Sequence, residues 1–105
     1  MKSKRKSRRL TIVGIGFLRT NSENKSHEIY LTNFSKGGVG IYLHKPMKAG
    51  TRILITFTYR DTEGERRFED QPGMIVWCSR CGSVYATGIR FDHLPHSMNI
   101  PSSTL

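Results

Sequence analysis

Four sets of side chains in this chain are of types that can do chemistry. The first is a pair of arginines, Arg5 and Arg9, four apart in the basic run Lys2–Arg9. A guanidinium presents a planar fork of N–H donors that grips a phosphate in two parallel hydrogen bonds. It also stacks on aromatic faces. The second set is the stretch Asn33-Phe34-Ser35-Lys36-Gly37-Gly38. Its carboxamide offers two donors and one acceptor, and its hydroxyl adds a contact of either kind. Its glycines allow close approach of another backbone or a ligand, or a positive φ. Taken by itself, this stretch is a well-made hairpin turn, shaped by Asn and Ser side chains bonding nearby backbone.

The third set is Cys78-Ser79-Arg80-Cys81, a CxxC spacing. A zinc ribbon needs a second such pair, and the sequence has only two cysteines. A thioredoxin-like motif needs a strand-to-helix setting, whereas this one falls at an expected strand-to-strand turn. His93 and His96 are separated by Pro95, so no metal is expected, and the cysteines read as a pair of thiols across a hairpin. A cytosolic protein keeps such thiols reduced. The fourth set, Asp61, Glu63, Glu65 and Glu69, clusters around a hairpin as solvated acids. No nucleophile–base–orienter set and no carboxylate dyad stands out, so enzyme activity is not expected.

The elements that must position these groups are strands. His27–Thr32 and Val39–Leu43 alternate with a period of two on either side of the Asn33–Gly38 turn. Leu10–Leu18 is apolar on both phases, as a strand covered on both sides would be. Its Gly14 and Gly16 suggest a bend or a close backbone approach. Thr51–Tyr59 carries Ile53, Ile55, Phe57 and Tyr59 on one face, with the β-branched and aromatic enrichment of a strand. Asp61–Gly64 turns the chain into a short charged strand, Glu65–Glu69, expected at an edge or rim. Pro72-Gly73 is read as a further turn, into Met74–Cys78. Ser79–Ser83 is read as a tight connection, and Val84–Phe91 as the last strand. Trp77 shares a phase with Ile75 and is expected in the core, as are Phe17, Phe57, Tyr59 and Phe91. Short strands at regular spacing, with no helix needed, argue an all-β, small antiparallel barrel of six to seven strands. The expected division is a basic arm over residues 1–9, a barrel over 10–91 and an irregular tail over 92–105.

The order of the two motifs, R-x-x-x-R before a first strand and N-x-S-x-x-G after a second, resembles the PilZ domain family of bacterial cyclic di-GMP receptors. Met74-Ile75-Val76-Trp77 and Tyr85–Phe91 look like that family's last two barrel strands. The resemblance implies that Arg5 and Arg9 hold the ligand's phosphates and stack on its guanines, and that Asn33 reads a guanine edge. Ser35 and Gly38 are implied beside them. Lys4 and Arg8 are secondary candidates, Arg8 because it lies within the basic run but off the motif, so that its loss should matter less. Residues before the first arginine, here Lys4, influence in that family whether one ligand molecule or a stacked pair enters. Asn33 stands where Asp is the commoner residue. A neutral amide has one acceptor where a carboxylate has several, so binding equal to or weaker than an Asp version is expected. No cofactor is implied beyond the ligand cyclic di-GMP.

Composition bounds the partners. Lys and Arg total 17 against 8 Asp and Glu, a net charge of +9, and Lys2–Arg9 contains no acid. Such an arm is expected to be solvated without a partner and to prefer phosphorylated or polyanionic ones. The length suits one domain, able to bury roughly 65% of its unfolded surface. No apolar run approaches the ~20 residues of a spanning helix. Met1–Leu18 imitates a signal peptide, but no small-residue cleavage site follows, so a cytoplasmic location is expected. The expected function is a signalling adaptor, monomeric or weakly dimeric, whose arm orders on ligand binding and meets an effector protein. The competing reading is a basic barrel that binds nucleic acid, disfavoured because the aromatics are assigned to core phases and the charge is concentrated in one arm. A nucleotide-independent protein-interaction module is a further alternative.

Overall fold

The structure is a computed structural model that describes residues 13–20, 22–23, 25–35, 37–93 and 98–100. The basic arm, with Lys4, Arg5, Arg8 and Arg9, lies outside the described residues. Seven strands follow in chain order: β1 Val13–Thr20, β2 His27–Phe34, β3 Gly38–Leu43, β4 Arg52–Asp61, β5 Gly64–Cys81, β6 Val84–Phe91 and β7 Met98–Ile100. Every pairing is antiparallel. The order is β4-β1-β2-β3-β6-β5, and β4 also pairs with β5, which closes six strands into a barrel. β7 adds to the outside of β5 at Glu65–Arg67. The stretch 92–105, expected to be irregular, thus contains a strand.

The core is what the alternation of β4 dictates. Ile53, Ile55, Phe57 and Tyr59 point inward and meet Leu18, Ile29, Ile41, Leu43, Phe68, Ile75, Ile89 and Phe91, all buried. The Phe57 and Phe68 rings stack with centroids 4.8 Å apart. Phe34 joins them from the end of β2, 5.3 Å from Phe68 and 5.2 Å from Tyr59.

Several expectations need correcting, each for a physical reason. Phe17 was expected inside but is 43% exposed, and Ile15 is 60% exposed. The inward phase of β1 belongs to Gly14, Gly16 and Leu18 instead. A Cβ at Gly16 would lie 2.0 Å from the Thr56 carbonyl oxygen, so β4 presses too closely there for a side chain. β1 is therefore not covered on both faces by the described residues, although the predicted close approach at its glycines is found.

Pro72-Gly73 is not a turn, because β5 runs unbroken through both and pairs them with Leu54 and Ile53. The strand bends instead. Asp70 takes a φ of 45°, and the β4–β5 register shifts between Ile55 and Phe57. Gly73 is the point of transfer, paired with Ile53 on one side and Phe91 on the other. The hairpin at Thr62–Glu63 is as expected, with Gly64 at a φ of 124°. The last hairpin turns at Gly82, φ 66°, after β5 has passed through Cys81.

Phe34 is the ring that fastens the Asn33–Gly38 stretch to the barrel. Its replacement by alanine should lower stability by about 2–3 kcal/mol, below the roughly 3–5 kcal/mol of a fully buried phenylalanine because it is only partly covered. Urea unfolding should show a lower midpoint at unchanged slope.

Candidate functional site

Asn33 lies inside β2, one residue before its end, and not in the turn. Between Leu31 and Asn33 the β2–β3 register shifts, so that Leu31 pairs with Ile41 and Asn33 with Gly40. A bulge places one extra residue on one strand and breaks the alternation of faces. Leu31 and Phe34 both reach the core across it, while Asn33 is turned outward. Its Nδ2 donates to Thr32 Oγ1 at 3.3 Å, with the amide orientation assigned from the hydrogen-bond network. The carboxamide lies over Gly40, where a Cβ would come within 2.9 Å of Oδ1.

The same device recurs on the other side of the sheet. The β5–β6 register shifts between Ile75 and Trp77. Ile75 is fully buried, but Val76 is 38% and Trp77 49% exposed. Trp77 is therefore not a core residue, as its spacing from Ile75 suggested; the inserted Val76 reverses its phase. The indole lies on Gly88, where a Cβ would meet Nε1 at 2.2 Å.

The register then sets four residues in one line across four neighbouring strands. Asn33 pairs with Gly40, Gly40 with Gly88, and Gly88 with Trp77. The amide covers one of the two glycines and the indole covers the other, so the absence of a Cβ lets both side chains lie close on the sheet. Three strand spacings separate the ends, about 14 Å between Cα atoms. The groove here has a volume of about 250 Å³, and Ser35, Gly38, Tyr42 and Ala86 also line it. The exposed indole offers the groove an aromatic face of the kind on which planar rings stack.

Ser35 and Gly38 close the turn. Ser35 N–H donates to the Gly38 carbonyl at 2.9 Å, and Ser35 Oγ also donates there at 3.3 Å. Gly38 has a structural reason to be glycine, since a Cβ would meet the Ile89 carbonyl oxygen at 2.3 Å. Close approach of β6, rather than of a ligand, accounts for it. The structure thus brings Asn33, Ser35 and Gly38 together at one end of the groove. Trp77, Gly40 and Gly88 were missed by sequence reasoning. The signal for Trp77 is a bulge, which a count of apolar spacings does not register.

Cys78 and Cys81 lie on the same strand, not across a hairpin. Residues three apart on a strand are about 10 Å apart, beyond the roughly 7 Å limit for a disulfide. Both are free thiols. Near the barrel's far end, His27 Nε2 pairs with Glu23 at 2.9 Å. That hydrogen bond, followed by the charges of His27, Lys25 and Lys45, holds the Glu23 carboxyl below its usual range.

The Gly88→Ala variant should push the indole off the sheet. The chain has one tryptophan, so its emission should shift while the β-sheet circular dichroism is retained. An unchanged emission spectrum would show that the indole does not rest on Gly88.

A search of curated proteins finds no match to this sequence. The family model for the PilZ domain matches residues 3–100, the span that contains both motifs, the barrel and β7. With nearly the whole sequence matched and the closed antiparallel barrel in place, the chain belongs to the PilZ domain family.

Proposed function

We propose that this protein is a receptor for cyclic di-GMP that works as a signalling adaptor and not as an enzyme. PilZ domains are known as cyclic di-GMP binders. The observation that carries the reading is the groove itself, with the Asn33 amide and the exposed Trp77 indole facing across it, each seated on a glycine. A guanine stacked on the outer face of the Trp77 indole would present an edge to Asn33. Ser35 would add a hydroxyl at the same end.

The groove is small. Ligand pockets that enclose drug-sized molecules run from roughly 300 to 1,000 Å³, while this one has about 250 Å³. It suits one ring system and leaves the phosphodiesters to other groups. In this reading Arg5 and Arg9 supply the phosphate contacts, with Arg8 and Lys4 secondary. Charge-assisted bonds to two phosphates would order the arm against the barrel. The ordered arm and ligand together would present a new surface to an effector protein in the cytoplasm, with the receptor acting as a monomer or weak dimer.

A second reading has one specific observation in its favour. Phe17, Tyr30 and Trp77 are exposed, which removes the objection that the aromatics are all buried. Exposed aromatics with basic charge are what single-stranded nucleic acid stacks on. Salt separates the two. Nucleic-acid affinity falls with a log–log slope of about −0.7 to −0.9 per phosphate neutralised, whereas a ligand with two phosphates and base contacts loses far less.

Calorimetric titration with cyclic di-GMP at moderate salt tests the receptor reading. Saturable binding is expected. The Arg9→Ala variant should bind roughly tenfold to a hundredfold more weakly, from the loss of about 1.5–3 kcal/mol of charge-assisted bonding. Arg8→Ala should bind less weakly than Arg9→Ala, and equal losses would favour diffuse charge over the motif. Ligand should also quench the single tryptophan. Trp77→Ala should reduce affinity by roughly five- to a hundredfold, the worth of one stacked base at about 1–3 kcal/mol.

A further inference from the structure

The second half of β5 has a backbone edge that no described strand covers. β5 pairs with β4 over Gly64–Met74 and with β7 over Glu65–Arg67. From Trp77 to Cys81 it pairs with β6 on one side only. On the other side the last described bonds are at Ile75, whose carbonyl accepts from Gly50 N–H and whose N–H donates to the Thr51 carbonyl. Val76–Cys81 at ~3.3 Å per residue is about 20 Å of edge. Alternate residues along such an edge offer N–H and C=O groups to a further strand. Natural edges are usually guarded by charge, proline or brevity. Here Arg80 is the one charged side chain, and Val76 and Trp77 are exposed.

Beside this edge runs a groove lined by Pro46, Met47, Lys48, Cys78, Arg80 and Tyr85. Met47 and Tyr85 pack against the core from below and make the floor apolar. Lys48 and Arg80 put two cations on the rim, and among the described residues no carboxylate lines the groove. An open edge supplies main-chain pairing, and an adjacent pocket selects alternate side chains.

We propose that β5 takes an extended, acidic segment of a partner protein as an added strand along Val76–Cys81. An apolar side chain of that segment enters the Met47–Tyr85 groove, and its carboxylates meet Lys48 and Arg80. Charge decides against a second copy as the occupant. A symmetric edge-to-edge contact would bring the Lys48 and Arg80 rims of both molecules into one interface, in a chain of net charge +9. The inference does not rest on the nucleotide reading, and its test uses no nucleotide.

The test is fluorescence anisotropy of the full chain with a fluorescein-labelled decapeptide of alternating glutamate and valine. Three comparisons accompany it. One is a decapeptide of alternating lysine and valine. Another is a pair of glutamate–valine peptides, N-methylated on the valines in one and on the glutamates in the other. The third is the Arg80→Glu variant, checked for folding by circular dichroism. Saturable binding of the unmodified glutamate–valine peptide is expected. The lysine peptide, one of the two N-methylated peptides and the variant should each bind at least tenfold more weakly. Hydrogen exchange of amides in Val76–Cys81 should slow at least tenfold when the peptide is bound. Absence of saturation overturns the proposal. So does equal binding of both N-methylated peptides, which would mean that no main-chain pairing occurs. Protection of the edge without peptide, together with a dimer mass in light scattering, overturns it in favour of a second copy.

Discussion

Closing only six strands into a barrel forces the sheet to coil tightly, and most of what is distinctive here follows from that constraint. A small barrel cannot be closed by flat, regularly alternating strands; it needs sharp local twist, and bulges and glycines supply it. The register shifts between Leu31 and Asn33, between Ile55 and Phe57, and between Ile75 and Trp77. Glycines occupy the points where strands press hardest, as at Gly16 and Gly38, where a Cβ would come within 2.0 Å and 2.3 Å of a neighbouring carbonyl oxygen. Each bulge breaks the alternation of inside and outside. Two of the three stand on either side of the β3–β6 pair and turn Asn33 and Trp77 outward over Gly40 and Gly88. The groove is thus a product of closure and not an addition to it.

The interior holds this arrangement still. Phe34, Phe57, Tyr59, Phe68 and Phe91 form one aromatic cluster, and offset aromatic pairs contribute about 0.5–1.5 kcal/mol beyond the area they bury. Phe34 is the member with a second consequence. Its neighbours in the chain are Asn33 and Ser35, and anchoring the ring fixes where both polar side chains emerge. This polar stretch is therefore tied down by its one apolar residue.

The fold was legible in the sequence because β4 states it plainly: Ile53, Ile55, Phe57 and Tyr59 alternate without interruption, and all four are buried. The motif end of the groove was legible because Asn33, Ser35 and Gly38 are local in the chain. What could not be read were the places where tertiary structure overrides a period of two. Trp77 was assigned inward from Ile75, and the bulge at Val76 reversed it. Phe17 was assigned inward for its hydrophobicity, but the tight β1–β4 approach admits only glycine on the inner phase at position 16. Pro72-Gly73 has the composition of a turn. The chain instead carries β5 through it, because the strand is handing its pairing from β4 to β6, a non-local event with no local signal.

Trp77 is where the two halves of the surface meet. Its side chain walls the groove over Gly88, while its backbone belongs to the stretch of β5 whose outer edge is open. These two facts have one cause. Past Ile75, β5 has left β4 and pairs with β6 alone, so the strand there is free both to carry a bulge and to present an edge. A residue in that position belongs both to the wall of the groove and to the edge strand. The barrel's interior is packed with interlocked aromatic rings, whereas the indole stands outside it, on the part of β5 that pairs with β6 alone.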